Sequence, residues 1–230
     1  MRPLLPLLAA AAIGCSNITD VGNGVVELDV TIPPRLELEV GDTLQLSARA
    51  LDRNGEVVAA EITWATPDPT IGVVAATGEV TGLAPGPGRV QAVQGTLISD
   101  FLTFNVLGRA DSLALPAGGA VTVAADAQSS APLAVTLLGA PDVTLAGHRV
   151  ILTITAPAFA DPATRTVQFP NGALADTVTT AADGTLATPV TVDRVTGTTA
   201  PATATVTVEA TRPSGAAVPG SGQTFTVTFE

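Results

Sequence analysis

From Val25 onward, apolar and polar residues alternate with a period of two. Leu28, Val30 and Ile32 face one way while Glu27, Asp29 and Thr31 face the other. Leu36, Leu38 and Val40 then oppose Arg35, Glu37 and Glu39, and Leu44, Leu46, Ala48 and Ala50 oppose Thr43, Gln45, Ser47 and Arg49. The same rhythm returns near the C-terminus, where Val206 and Val208 alternate with Thr205, Thr207 and Glu209, and Phe225, Val227 and Phe229 with Thr226 and Thr228. One buried and one solvated face per strand is the signature of antiparallel sheets packed into a sandwich. Gly41-Asp42, Asp52-Arg53-Asn54-Gly55, Thr77-Gly78 and Gly86-Pro87-Gly88 punctuate the pattern at short spacing and predict turns. Residues 177–192, TVTTAADGTLATPVTV, predict two strands joined by an Ala-Asp-Gly turn. Beyond the first residues there is no sustained helical period, so the expectation is all-β, with two tandem sandwiches.

The N-terminus breaks this pattern. Met1-Arg2 is followed by a ten-residue apolar run, Leu4 to Ile13, which ends in Gly14-Cys15. A spanning helix needs about 20 apolar residues, so ten suit the core of a signal peptide. Ala12-Ile13-Gly14-Cys15 resembles the lipobox of bacterial lipoproteins. That resemblance implies cleavage between Gly14 and Cys15, a diacylglyceryl group on the Cys15 thiol and acylation of the new amine, palmitate being a typical chain. It also implies membrane partnership through the lipid, since stable anchoring takes more than one acyl chain. Ala12 departs from the leucine the family prefers at its place. Ser16, where aspartate would favour the inner membrane, points to the outer membrane of the cell envelope. Residues 1–14 are then signal peptide and 15–24 a lipidated tether.

Residues 40–93 carry a second resemblance. Val40-Gly41-Asp42-Thr43 leads into a Leu-alternating strand, followed by Trp64-Ala65-Thr66-Pro67-Asp68, then Val74, Gly78, Val80-Thr81-Gly82 and Gly86. In this order the motifs resemble the bacterial immunoglobulin-like domain of group 2, over residues 25–108. The resemblance implies that Trp64 faces the core. In residues 109–230, LAGHRVILTITAP together with TVTTAADGTLATPVTV resembles the group 1 immunoglobulin-like domains of invasin and intimin, in which a Gly turn enters a Val-rich strand and an Asp-Gly turn leads into another. Both resemblances imply adhesion, surface interaction or envelope structure. An accessory protein that binds a surface glycan or protein through loops of residues 109–230 is the alternative.

Composition narrows the chemistry. The 230 residues carry 21 acidic and 10 basic side chains, a net charge of −11, with every base an arginine. An acidic surface without clustered cations argues against a nucleic-acid partner. A single cysteine forbids an intrachain disulfide. Nucleophilic catalysis needs an activated Ser or Cys beside a base, and the one histidine, His148 in AGHRV, reads as an exposed turn residue. Structural zinc needs about four Cys or His ligands, and too few exist. The expectation is therefore no enzyme, no cofactor other than covalent lipid at Cys15, and no metal site. The pairs Glu27/Asp29 and Glu37/Glu39 read as solvated strand faces. Asp42, Asp52, Asp142 and Asp183 are dispersed turn acids whose oxygens suit calcium, without the Asp-x-Asp series that would support it. Phe101, Phe104, Phe159, Phe169, Phe225 and Phe229 are expected in the core or between domains.

Overall fold

The computed structural model describes residues 24–230. Among these, regular structure consists of strands and two 3-10 turns, Ala117–Gly119 and Pro162–Thr164. The all-β expectation holds: the chain forms two sandwiches in tandem.

The first contains β1 (Val25–Val30), β2 (Glu37–Glu39), β3 (Thr43–Gln45), β4 (Ala48–Asp52), β5 (Val57–Val58), β6 (Thr63–Ala65), β7 (Ile71–Val73), β8 (Glu79–Gly82), β9 (Gly86–Gln94), β10 (Leu97–Ile98) and β11 (Leu102–Leu107). One sheet runs β1-β4-β5, a second runs β10-β9-β11-β2 with β6 also on β9, and a third small one runs β3-β8-β7. Alternation places Leu28, Leu46, Ala50, Trp64, Val80, Val90, Ala92 and Phe104 in one apolar cluster.

Gly86-Pro87-Gly88 does not form the expected turn. These residues open β9, with Pro87 opposite Asn105. A side chain on Gly88 would run into Ile71, so glycine serves close approach there and not chain reversal. The turn at Asp52–Gly55 does form: Asp52 Oδ1 accepts the N–H groups of Asn54 and Glu56 at 2.8 and 2.9 Å.

The second sandwich contains β12 (Ala110–Ala114), β13 (Ala120–Val123), β14 (Thr136–Gly139), β15 (Arg149–Ala156), β16 (Val167–Gln168), β17 (Ala175–Thr179), β18 (Asp193–Arg194), β19 (Thr203–Ala210) and β20 (Gln223–Phe229). Its main sheet is a continuous five-stranded β13-β20-β19-β15-β17, packed over the pairs β12-β14 and β16-β18. Leu152, Val206, Val208, Phe225 and Val227 point inward, while Thr224, Thr226 and Thr228 remain exposed. The Asp183-Gly184 turn forms, with Asp183 Oδ1 accepting from the backbone and hydroxyl of Thr185. The strand expected after it does not. Residues 185–192 make two isolated bridges, Thr185 to Thr136 and Leu186 to Thr180, and then run beside Ser130–Leu133 through backbone bonds at Val190 and Val192. Pro189 lacks the N–H that a ladder needs.

Both sandwiches close in the same way. An early strand lies parallel to the last one: β2 on β11, pairing Glu37 with Asn105 and Glu39 with Leu107, and β13 on β20. The pairing of Glu39 with Leu107 carries Glu39 to the end of the first sandwich, where the chain crosses through Gly108-Arg109 into the second.

Candidate functional site

Three ionisable side chains with little or no exposure meet at this crossing. Glu39 arrives from β2. His148 immediately precedes β15 and Arg212 follows β19 by two residues. Those two strands pair Val150 with Ala210, so extending the antiparallel register sets His148 opposite Arg212. The Glu39 side chain is 0% exposed, that of His148 1% and that of Arg212 11%.

Three polar contacts hold the crossing backbone. His148 Nε2 lies 2.8 Å from the Gly108 carbonyl oxygen. A carbonyl can only accept, so Nε2 carries the hydrogen in the neutral ring and Nδ1 presents a lone pair. Arg212 Nη2 donates to the Ala110 carbonyl at 2.8 Å, and the Ala110 N–H points at Glu39 Oε1 at 3.4 Å. Glu39 Oε1 stands 3.4 Å from His148 Nδ1, and Glu39 Oε2 stands 3.4 Å from Arg212 Nη1. Neither Nδ1 nor Oε2 has a hydrogen-bond partner in good geometry. Burial pushes the Glu39 carboxyl above its ordinary value, opposed by the Ala110 N–H, Arg212 and Arg109 and helped by Asp42. Burial also pushes the His148 imidazole down, as does Arg212, against the Gly108 carbonyl and Glu37.

Two expectations are corrected here. Glu39 is not on a wet face and His148 is not an exposed turn residue. Leu38 faces the core of the first sandwich, and the second sandwich covers the opposite face of the strand end, so both sides of β2 are buried at residues 38–39. No local pattern signals this, because the covering residues lie more than 70 positions away along the chain. Gly108 is part of the same fit: a side chain there would collide with the Thr144 carbonyl oxygen and Val143. Beside the cluster, Pro33, Pro34, Asp42 and Leu44 face Pro213, Ser214 and Gly215 across an open groove of about 400 Å³.

Of the residues singled out by sequence, Gly14 and Cys15 lie outside the described residues. Trp64 is buried in the first core, its ring over Gly78. Phe104, Phe169 and Phe225 are buried, and Phe159 and Phe229 lie partly buried against the second core. Phe101 departs from expectation. It is 47% exposed, and its ring stacks under the Arg89 guanidinium at 5.0 Å, a cation–π contact at the surface. The turn acids do not converge: Asp52 and Asp183 each bind their own turn. No three metal-ligating side chains come together among the described residues. No helix among them is long and apolar enough to cross a membrane.

Residues 28–100 match the model of the bacterial Ig-like domain, group 2. No curated protein matches the chain. Among solved structures, the chain is similar to the adhesin InvE of Yersinia pseudotuberculosis, with 17% identity and a TM-score of 0.41. That match covers 91% of this chain and 61% of the adhesin, so the chain spans about three fifths of that protein. Domains 4 and 5 of the S-layer protein SbsC match with 20% identity and a TM-score of 0.33, over 89% of this chain and 98% of theirs. The fibronectin(III)-like modules of Clostridium thermocellum CbhA match with 13% identity and a TM-score of 0.35, over 89% and 94%.

Proposed function

We propose that the chain is a non-catalytic, lipid-anchored protein of the bacterial cell envelope, whose stacked sandwiches serve adhesion, surface interaction or envelope structure. The observation that carries this reading is the match of residues 28–100 to the bacterial Ig-like domain of group 2. Gly14-Cys15 after the apolar run supports the anchor. In this scheme residues 1–14 are removed and residues 15–24 tether the lipid. Residues 25–108 then stand nearest the outer membrane and residues 109–230 project from it. The work is mechanical. Two sandwiches clamped through Glu39, His148 and Arg212 hold whatever surface the far unit offers at a fixed height and angle. A surface glycan or protein is the natural partner of such a spacer.

Palmitate labelling with membrane fractionation tests the reading, combined with protease accessibility on intact cells. The wild type should take up label, sediment with outer membranes and be cleaved from outside. Cys15→Ala should lose label and membrane association while both sandwiches melt as in the wild type. A Cys15→Ala chain that still carries label and sediments with membranes overturns the anchor, and turnover of any substrate overturns the non-catalytic reading.

A further inference from the structure

The junction cluster contains an imbalance that its geometry resolves in one way. With Nε2–H committed to the Gly108 carbonyl at 2.8 Å, the bare Nδ1 of His148 faces Glu39 Oε1 across 3.4 Å. If Glu39 is a carboxylate there, two lone pairs oppose each other in a dry site, which is an unfavourable arrangement. A proton between Oε1 and Nδ1 removes the conflict and gives Nδ1 the partner it lacks. We propose that the junction holds one proton between Glu39 and His148, and that docking of the two sandwiches is coupled to uptake of that proton.

The other charged groups around the site frame this proton without replacing it. From the first sandwich come Arg35, Glu37 and Asp42, and from the crossing Arg109 and Asp111, which pair with each other at 3.6 Å. From the second come Arg149 and Arg212. Arg212 lies 3.4 Å from Oε2, the oxygen turned away from His148, and its positive charge works against the proton on either partner, so burial of Glu39 has to outweigh it. Burial, which raises Glu39 and lowers His148, favours the proton on the carboxyl oxygen. Glu39 is then the donor and the neutral imidazole the acceptor, relaying the contact to Gly108.

The sign of the pH dependence follows. Undocked, the two side chains return to their ordinary values, 4.5 for the glutamate and 6.5 for the histidine. Above the histidine's ordinary value the undocked pair carries no proton, and under the proposed coupling the docked pair keeps one, held on the raised carboxyl of Glu39. Docking therefore weakens as pH rises from the undocked histidine's value up to the raised carboxyl value, by about tenfold per pH unit for a single proton, and levels off above it. Below 4.5 the undocked pair carries two protons and the docked imidazole resists the second, so docking weakens again. The junction is tightest between 4.5 and 6.5.

His148 is the only histidine in the chain, so its ring can be followed in the full-length protein by nitrogen NMR without assignment ambiguity. The expected spectrum at neutral pH is one neutral ring, protonated at Nε2 and bare at Nδ1, which persists as pH falls well past 6.5. Small-angle scattering should give its most compact curve between pH 4.5 and 6.5. Glu39→Gln supplies an amide N–H to Nδ1 at every pH and should stay compact with a flat pH profile, whereas Glu39→Ala should open. A histidine that titrates near 6.5 overturns the proposal. So does a Glu39→Gln chain that unfolds or opens as fully as Glu39→Ala, because that result makes the Glu39 charge itself the clamp.

Discussion

In the first sandwich a core of twelve buried residues is divided among a three-stranded sheet, a five-stranded sheet and a further three-stranded one. In the second, twenty-one buried residues line a continuous five-stranded sheet and the two strand pairs beneath it. The larger core is built of many medium-sized aliphatic residues, with Phe169 and Phe225 the aromatic members of its fully buried set. The smaller one gathers around Trp64, Phe104 and Ile71. Closure is shared, since both sandwiches seal with an early strand parallel to the last one, and filling is not. A small, divided core depends on one large side chain at its centre, whereas a large continuous one spreads its stability over the ladder.

The contrast can be broken most directly at its centre. Trp64→Ala empties the largest site of the smaller core and should destabilise the first sandwich by about 3–5 kcal/mol. Calorimetry should then show the first transition lowered or lost and the second in its wild-type place. Equal effects on both would mean that the two cores unfold as one.

A smaller effect is expected at the crossing. Gly108→Ala forces a methyl group toward the Thr144 carbonyl and Val143. Overpacking of this kind costs about 1–3 kcal/mol. The expected outcome is a longer particle in scattering, with both sandwiches folded. An unchanged particle would show that residues 143–144 yield without consequence.

The smallest effect distinguishes the sandwiches by pH. Each has an aspartate whose carboxylate is held below the ordinary value of 3.8 by hydrogen bonds in its own turn: Asp52 through the N–H groups of Glu56 and Asn54, and Asp183 through Thr185. The Asp68 carboxylate of the first sandwich is also lowered, by Arg89 on β9. A lowered carboxyl stabilises fully above its unfolded value, and that contribution is lost as pH falls through the folded one. Asp52→Asn should therefore reduce the acid sensitivity of the first melting transition only, leaving the part that Asp68 contributes, and Asp183→Asn should reduce that of the second. Crossed effects in acid titrations followed by calorimetry would show that the turns are not local.

Much of this architecture was legible in the chain. The alternation in β19 and β20 and the turns at Asp52–Gly55 and Asp183-Gly184 rest on local chemistry, which a sequence records. Gly86-Pro87-Gly88 misled because glycine has two uses, and only the position of Ile71 decides between chain reversal and close approach. Glu39 and His148 were illegible for a different reason. The alternation around Glu39 is correct for an isolated strand and His148 does stand at the entry to one, and the burial of both came from a surface contributed by distant residues. Phe101 is the mirror case: an aromatic placed outside by a neighbouring arginine that gives its ring a polar partner.

The parallel pair β13–β20 has a further consequence under load. These two strands stand toward opposite ends of the second sandwich's chain and run in the same direction, with Ala120 through Val123 matched to Thr226 through Phe229. Tension applied at the two ends of that unit pulls them past each other along their common axis, once the preceding β12 has peeled away. All the rungs are then strained together, where a hairpin pulled from its open end would give way one rung at a time. A unit tethered at one end and gripped at the other is held by a clasp that resists sliding.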